Sequence, residues 1–275
     1  LRNSAAHSAP ASAASGSPPA DLTGRALSAT TGIHYTWISR VENGSAPPTD
    51  RQVRDWCRAC SADDEVPDLL ATLHATRDAY EDWKTLVKRG MRHINGPGRL
   101  ASFERVRLLR IHEVNILPGP FQTEAYMRAV LTWWRTFYEA PDDDDEAIAF
   151  KRKCMAKLMT PTKKVVAVIT EAAVATRFLE PAEHAQQLIH LLQVMALPYV
   201  SVGIIPTTDR TACYSNLGFW FWDDSLVTLE TPTAGINIRR PHELDQYRRL
   251  FTHLQSAAHY GRNARSLVAR ALATC

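Results

Sequence analysis

Residues 22–56 read LTGRALSATTGIHYTWISRVENGSAPPTDRQVRDW, and the punctuation in this stretch decides how the N-terminal part of the chain folds. Thr23 can cap a helix through Arg25, Ala26, Leu27 and Ala29, because its hydroxyl can accept from a backbone N–H of the first turn. Gly32 fits a tight turn. A second helix follows over 35–41, with Ile38 and Val41 three apart on one face. Asn43-Gly44 stops it. Pro47-Pro48 is a rigid connection, and Thr49 or Asp50 then caps a third helix holding Val53, Trp56 and Cys57. The expectation is a small all-α domain over 21–95.

Outward from this stretch the composition changes on both sides. Residues 1–20 are rich in Ala, Ser and Pro and almost free of large apolar side chains. Such a segment cannot bury enough surface to offset the entropy of ordering it, so it reads as a flexible arm. On the other side, residues 66–90 carry Leu69, Leu70, Leu73, Tyr80, Trp83, Leu86 and Val87 at helical spacing, which predicts one long helix. Asn95-Gly96-Pro97-Gly98 is a strong breaker. It sets the expected boundary to a second domain over 96–275.

That second part mixes two periods. Residues 101–116 suggest a strand with Val106, Leu108 and Ile111 inward. Pro118-Gly119-Pro120 turns the chain into a helix over 123–138. The acidic run 142–145 suits the N-terminus of a further helix reaching Met159, since negative charge is favoured there. Strands are expected at 165–170 and 199–205, and a helix at 181–196. A hairpin over 217–230 turns at Asp223-Asp224, and one or two amphipathic helices close the chain. The fold class is α+β: an all-α head, then a mixed, largely antiparallel sheet with helices.

The bulk numbers exclude several classes. The 275 residues are 45% hydrophobic and 22% charged, an ordinary globular composition for one or two domains. A net charge of +3 permits nucleic-acid contact without demanding it. No apolar run approaches the ~20 residues of a membrane helix. Five cysteines, Cys57, Cys60, Cys154, Cys213 and Cys275, form no regular framework, so reduced thiols and a cytoplasmic location are expected.

A short helix, a tight turn and a second helix form the helix-turn-helix arrangement. The words TGRALSATTG, ISRVENG and PPTDRQVRDW resemble the XRE-like (lambda-repressor-like) helix-turn-helix regulators. With PDLLATL, YEDWK, ERVRLLRIHEVNILPGPFQTEAYMRAVL, ITEAAV, HAQQLIHLLQVMALPYVSVGIIP and VTLET, the chain is similar over roughly 22–270 to an actinobacterial antitoxin-like regulator group. In that group such a head precedes a C-terminal domain of undefined function. The resemblance implies double-stranded DNA as a partner and often a small protein partner. Against that pattern, the basic Leu-rich first helix is apparently lost here, so Leu27, Ile38 and Val41 need another cover. The residues placed to contact a duplex are Arg25, His34, Tyr35, Thr36, Trp37 and Arg40. Arg25 and Arg40 suit phosphates, and Thr36 suits a thymine methyl. Residues 22–60 hold five arginines against three acids, a weak electrostatic footprint.

Other constellations point to the second domain. Cys57 and Cys60 form Cys-x-x-Cys at a helix end with no preceding strand and no second ligand pair, so neither a metal nor a cofactor is expected. Phe219-Trp220-Phe221-Trp222 sends alternate residues to opposite sheet faces. One face can be core, while the other needs a cover, a partner or a ligand. Trp133 and Trp134 add to this aromatic density. An aromatic-lined pocket beside the Pro118–Pro120 turn would use Glu113, Gln122, Thr123, Tyr126, Trp133, Trp134, Trp220 and Trp222. Of the acids and bases Glu104, His112, Glu113, Glu171 and Glu230, none forms an obvious catalytic couple. His112 and Glu113 point to opposite faces. Two main readings stay open, with a purely protein-binding adaptor as a third. One is a homodimeric DNA-binding regulator whose second domain senses a small molecule or partner protein. The other is a relative that has left DNA and binds or transforms a small apolar metabolite.

Overall fold

The computed structural model describes residues 22–93, 97–207 and 215–275. The expected arm over 1–20, the apparent loss of a first helix, the Asn95-Gly96 half of the breaker and Cys213 lie outside these residues. The chain divides into two compact units between Asp78 and Ala79.

In the first unit, α1 (Gly24–Thr31), α2 (Tyr35–Glu42), α3 (Asp50–Ala59) and α4 (Val66–Ala79) follow one another. Their ends are set by the residues the sequence singled out. The Thr23 hydroxyl accepts from the Ala26 N–H, and Gly32 closes α1 at φ 71°. Thr49 and Gln52 form a reciprocal capping box at α3, satisfying two N–H groups that have no partner within the helix. Leu27 and Ile38 are both buried, and α1 packs on α2 and α3. Val41 is half-buried. Val53, Cys57 and Leu70 form a second small cluster.

The second unit is built on a seven-stranded mixed sheet among the described residues. Its strands are β1 (Tyr80–Asp82), β2 (Leu108–Glu113), β3 (Lys164–Thr170), β4 (Val200–Ile205), β5 (Phe219–Trp222), β6 (Leu226–Glu230) and β7 (Ala234–Ile238), in spatial order β1-β7-β6-β5-β2-β3-β4. The β2–β3 and β3–β4 pairs are parallel; the other neighbours are antiparallel. Helices α5 (Trp83–Val87), α6 (Pro97–Arg105), α7 (Glu124–Tyr138), α8 (Asp144–Leu158), α9 (Glu171–Ala175), α10 (Pro181–Val194), α11 (Pro241–Ala257) and α12 (Gly261–Leu272) complete it. One core joins the inner faces of α6, α7, α8, α10 and α12 to Leu109, Ile111, Val165, Ala167 and Trp222. A second joins Leu244, Phe251 and Leu254 of α11 to Val168, Phe219 and Phe221, and a third gathers Trp83, Val87 and Met91 with Met127, Leu131 and Ile148.

Two expectations are corrected. The long helix over 66–90 ends at Ala79, and β1 follows it. Tyr80 and Trp83 fit a helical period, but antiparallel pairing of Tyr80–Asp82 with β7 prevails. The strand expected over 101–116 is only Leu108–Glu113; α6 occupies the residues through Arg105. Since β2 lies between two strands with both faces covered, its apolar residues do not mark its start. Val106 is buried ahead of the strand, Ile111 is buried within it, and Leu108 is only half-buried. The hairpin does turn at Asp223, which adopts φ 50° and caps β2 by accepting from the Arg107 and Leu108 N–H groups.

Among the described residues no helix is long and apolar enough to cross a membrane.

Candidate functional sites

The outward side of α2 is open. Tyr35, Thr36 and Arg40 are exposed, as are Arg25 on α1 and His34 at the α2 cap. Two guanidinium groups lie over aromatic rings: Arg25 is 6.0 Å from the centre of Tyr35, and Arg40 is 5.3 Å from that of Trp37. Such contacts orient the cations without neutralising them. Arg51 and Arg58 are tied to Asp55 at 3.5 and 3.3 Å, whereas Arg25, Arg40 and Arg54 form no ion pair among the described residues.

His34 and Thr36 are partly committed to each other. The His34 Nδ1 accepts from the Thr36 N–H at 3.3 Å and lies 2.7 Å from its hydroxyl, which fixes the start of α2. Trp37 is half-buried, and its Nε1–H is shut off from solvent with no hydrogen-bond partner among the described residues. It lines a shallow cleft of about 450 Å³ with Arg51, Gln52 and Asp55 of α3. Of the six residues expected to face a duplex, Trp37 is therefore the one that turns inward.

The second site is a cavity of about 570 Å³ in the C-terminal unit. It opens where β2 ends, the strand at which the sheet changes from parallel to antiparallel pairing. The chain leaving β2 contributes Asn115, Leu117, Gly119 and Gln122, while Gly218 and Trp220 come from the start of β5. The alternation in Phe219–Trp222 is resolved by two different fates. Phe219 and Phe221 are buried beneath α11, with Phe219 also reaching the cavity, whereas Trp220 lines the cavity and Trp222 packs on Phe103 at 4.9 Å.

Glu113, Gln122, Trp133, Trp134 and Trp220 are all brought to this cavity. Thr123, Tyr126 and Trp222 do not line it. Thr123 caps α7, and its N–H donates to the Gln187 Oε1 at 2.6 Å. Tyr126 is wholly buried, with its hydroxyl oxygen accepting from the Leu117 N–H at 3.3 Å. The Trp222 Nε1–H donates to the Thr228 hydroxyl at 3.0 Å. These three hold the walls. Gln122 does both, lining the cavity while donating to the Leu117 carbonyl at 2.6 Å.

Glu113 accepts from the Trp220 Nε1–H at 2.7 Å. Its other oxygen lies against Gly218, where an added Cβ would approach it to 2.4 Å and the His112 carbonyl to 3.0 Å. Burial pushes the Glu113 carboxyl up to about 8, with the charge of Glu230 adding to the shift and the Trp220 hydrogen bond opposing it. At neutral pH it is mostly the neutral acid. His112, next along β2, points to the other face, where its Nδ1 lies 2.8 Å from the Val168 carbonyl; burial lowers its affinity for a proton.

Three cavity groups were not among the expected pocket residues. Arg99 of α6 pairs with Glu230 of β6 at 2.6 Å. Lys151 of α8 faces the cavity, and burial lowers its basicity, with Arg99 adding to that and Glu230 opposing it. Glu230 stood in sequence only as one of several isolated acids. Lys151 sits in the run Phe150-Lys151-Arg152-Lys153, which reads as a solvated basic face.

Taken together, these features define a two-part protein: a helix-turn-helix head and an α+β domain enclosing an aromatic cavity. A helix-turn-helix domain family matches residues 1–70. The chain belongs to the family described as a domain of unknown function (DUF5753), which matches residues 99–270. No curated protein and no solved structure matches the chain.

Proposed function

We propose that this chain is a DNA-binding transcriptional regulator in which α2 and the α1 edge engage a duplex while the C-terminal cavity senses a small molecule. The observation that carries the reading is the division of labour within the head. Leu27 and Ile38 are buried in a head where α1 packs on α2 and α3, while Arg25, Tyr35, Thr36 and Arg40 remain exposed. Arg25 and Arg40 meet phosphates, and Tyr35 and Thr36 approach base edges. The sequence resemblance to XRE-like regulators of actinobacteria supports the same reading and adds a small protein partner, and five cysteines without a regular framework fit a cytoplasmic setting. Two weakly basic heads gain affinity by acting as a homodimer on half-sites about one helical turn apart.

The test is selection of bound duplexes from a random pool by the full chain, followed by binding to the enriched sequence across a salt series. A single enriched motif is expected, with affinity falling steeply as salt rises. Arg25→Ala and Arg40→Ala should each flatten the logarithmic salt dependence by about one unit. Absence of enrichment, with equal binding to all duplexes, overturns the proposal.

A further inference from the structure

The polar groups around the cavity do not balance one another, and the imbalance specifies a guest. Arg99 and Glu230 form a pair. The Glu113 carboxyl is held in the wall by Trp220 and Gly218. Lys151 makes no hydrogen bond or ion pair among the described residues, yet its side chain lines the cavity. A half-buried amine with no hydrogen bond, attracted only at a distance by a carboxylate already engaged by Arg99, is incompletely compensated, and an anion brought beside it removes that penalty. A cationic guest would instead meet Lys151 and Arg99 as like charges.

The remaining walls set the body of the guest. Phe103, Phe150, Trp134 and Trp220 offer apolar faces, and the volume of about 570 Å³ suits a small organic molecule. Trp133 is 56% exposed and stacks on Phe137 at 5.6 Å, so an aromatic rim stands open at this side of the cavity.

We infer that the cavity binds a ring-bodied organic monoanion, a carboxylate or equivalent oxyacid, with its acid group at Lys151 and its body against the tryptophan wall. This rests on the sensing role given above to the C-terminal domain and names the class of molecule sensed. Burial lowers the proton affinity of Lys151 and leaves Glu113 uncharged at neutral pH, so the guest's negative charge meets a cation it can stabilise, while the one charged carboxylate of the described wall, Glu230, is engaged by Arg99. Binding the anion holds Lys151 in its protonated form.

The experiment titrates the full chain at pH 7 with 4-phenylbutyrate and 1-naphthylacetate, their primary amides, and 2-(1-naphthyl)ethylamine. Tryptophan fluorescence and calorimetry report binding. The carboxylates should bind at least tenfold more tightly than the amides, and the amine most weakly. Lys151→Met, of similar length, should erase the carboxylate preference while still binding the amides; Lys151→Arg should retain it. An amide or amine that binds as well as the carboxylate, a preference that survives in K151M, or no binding of any probe to the folded wild-type chain at millimolar concentration each overturns the inference. Loss of amide binding in K151M together with loss of carboxylate binding in K151R also overturns it. The duplex selection is run without these probes, so its failure is recorded separately from theirs.

Discussion

The head and the C-terminal domain place their candidate functional residues in opposite ways. In the head, Arg25, Tyr35, Thr36 and Arg40 face outward from two short helices whose inner faces bury Leu27 and Ile38. In the C-terminal domain, Glu113, Lys151, Arg99 and Trp220 face inward from four elements, β2, α8, α6 and β5, around a cavity. A surface for a large polymer needs only local helices held at the right angle. A cavity needs distant segments to converge, and therefore a sheet and several helix layers.

The largest expected effect tests whether the head stands on its few buried side chains. Ile38→Ala removes a side chain with no solvent exposure and should destabilise the head by about 2–5 kcal/mol. Hydrogen exchange in α1–α3 should rise and duplex binding should vanish, while the fluorescence response of the cavity tryptophans to 1-naphthylacetate persists. Simultaneous loss of both would mean the two parts are not separable in this way.

A smaller effect should be confined to the C-terminal domain. The folded Glu113 titrates near 8 instead of its ordinary 4.5, so the unfolded chain releases this proton first. Between those values the native state holds the proton that the unfolded state has lost. Stability from this group therefore falls as pH rises from about 4.5 to about 8 and then levels. Glu113→Gln removes the titration, so the melting temperatures of variant and wild type should diverge across that window in favour of the variant. Parallel melting curves from pH 5 to pH 9 would refute the assignment.

The smallest effect returns to the head. Thr49→Ala removes one side of the capping box at α3 and should cost about 1 kcal/mol, read as a lowered denaturant midpoint of the head with the C-terminal transition unmoved.

The same contrast governs what the sequence discloses. The head's boundaries rest on interactions within a few residues: Thr23 on Ala26, Gly32 closing α1, Thr49 with Gln52. Each is visible in a window of ten residues. The hairpin turn at Asp223 and the start of α7 just after the Pro118–Pro120 turn were legible for the same reason, although the capping role of Thr123 was not read. The split between α4 and β1 was not, because β1 exists through pairing with β7, more than 150 residues away. The site divides likewise. The aromatic residues Trp133, Trp134 and Trp220 announced themselves by density, and Glu113 and Gln122 by their place beside the turn. Lys151 carried no such signal, since a lysine within a basic run on a helix resembles any solvated face.

Gly218 has a consequence of the same long-range kind within the C-terminal domain. Because it lacks a Cβ, the acid of Glu113 can rest close against the neighbouring strand at the cavity wall. The wall thus holds a proton donor. A methyl group at this one position would meet that acid at 2.4 Å and the His112 carbonyl at 3.0 Å, so the bareness of residue 218 is what lets the acid keep its seat.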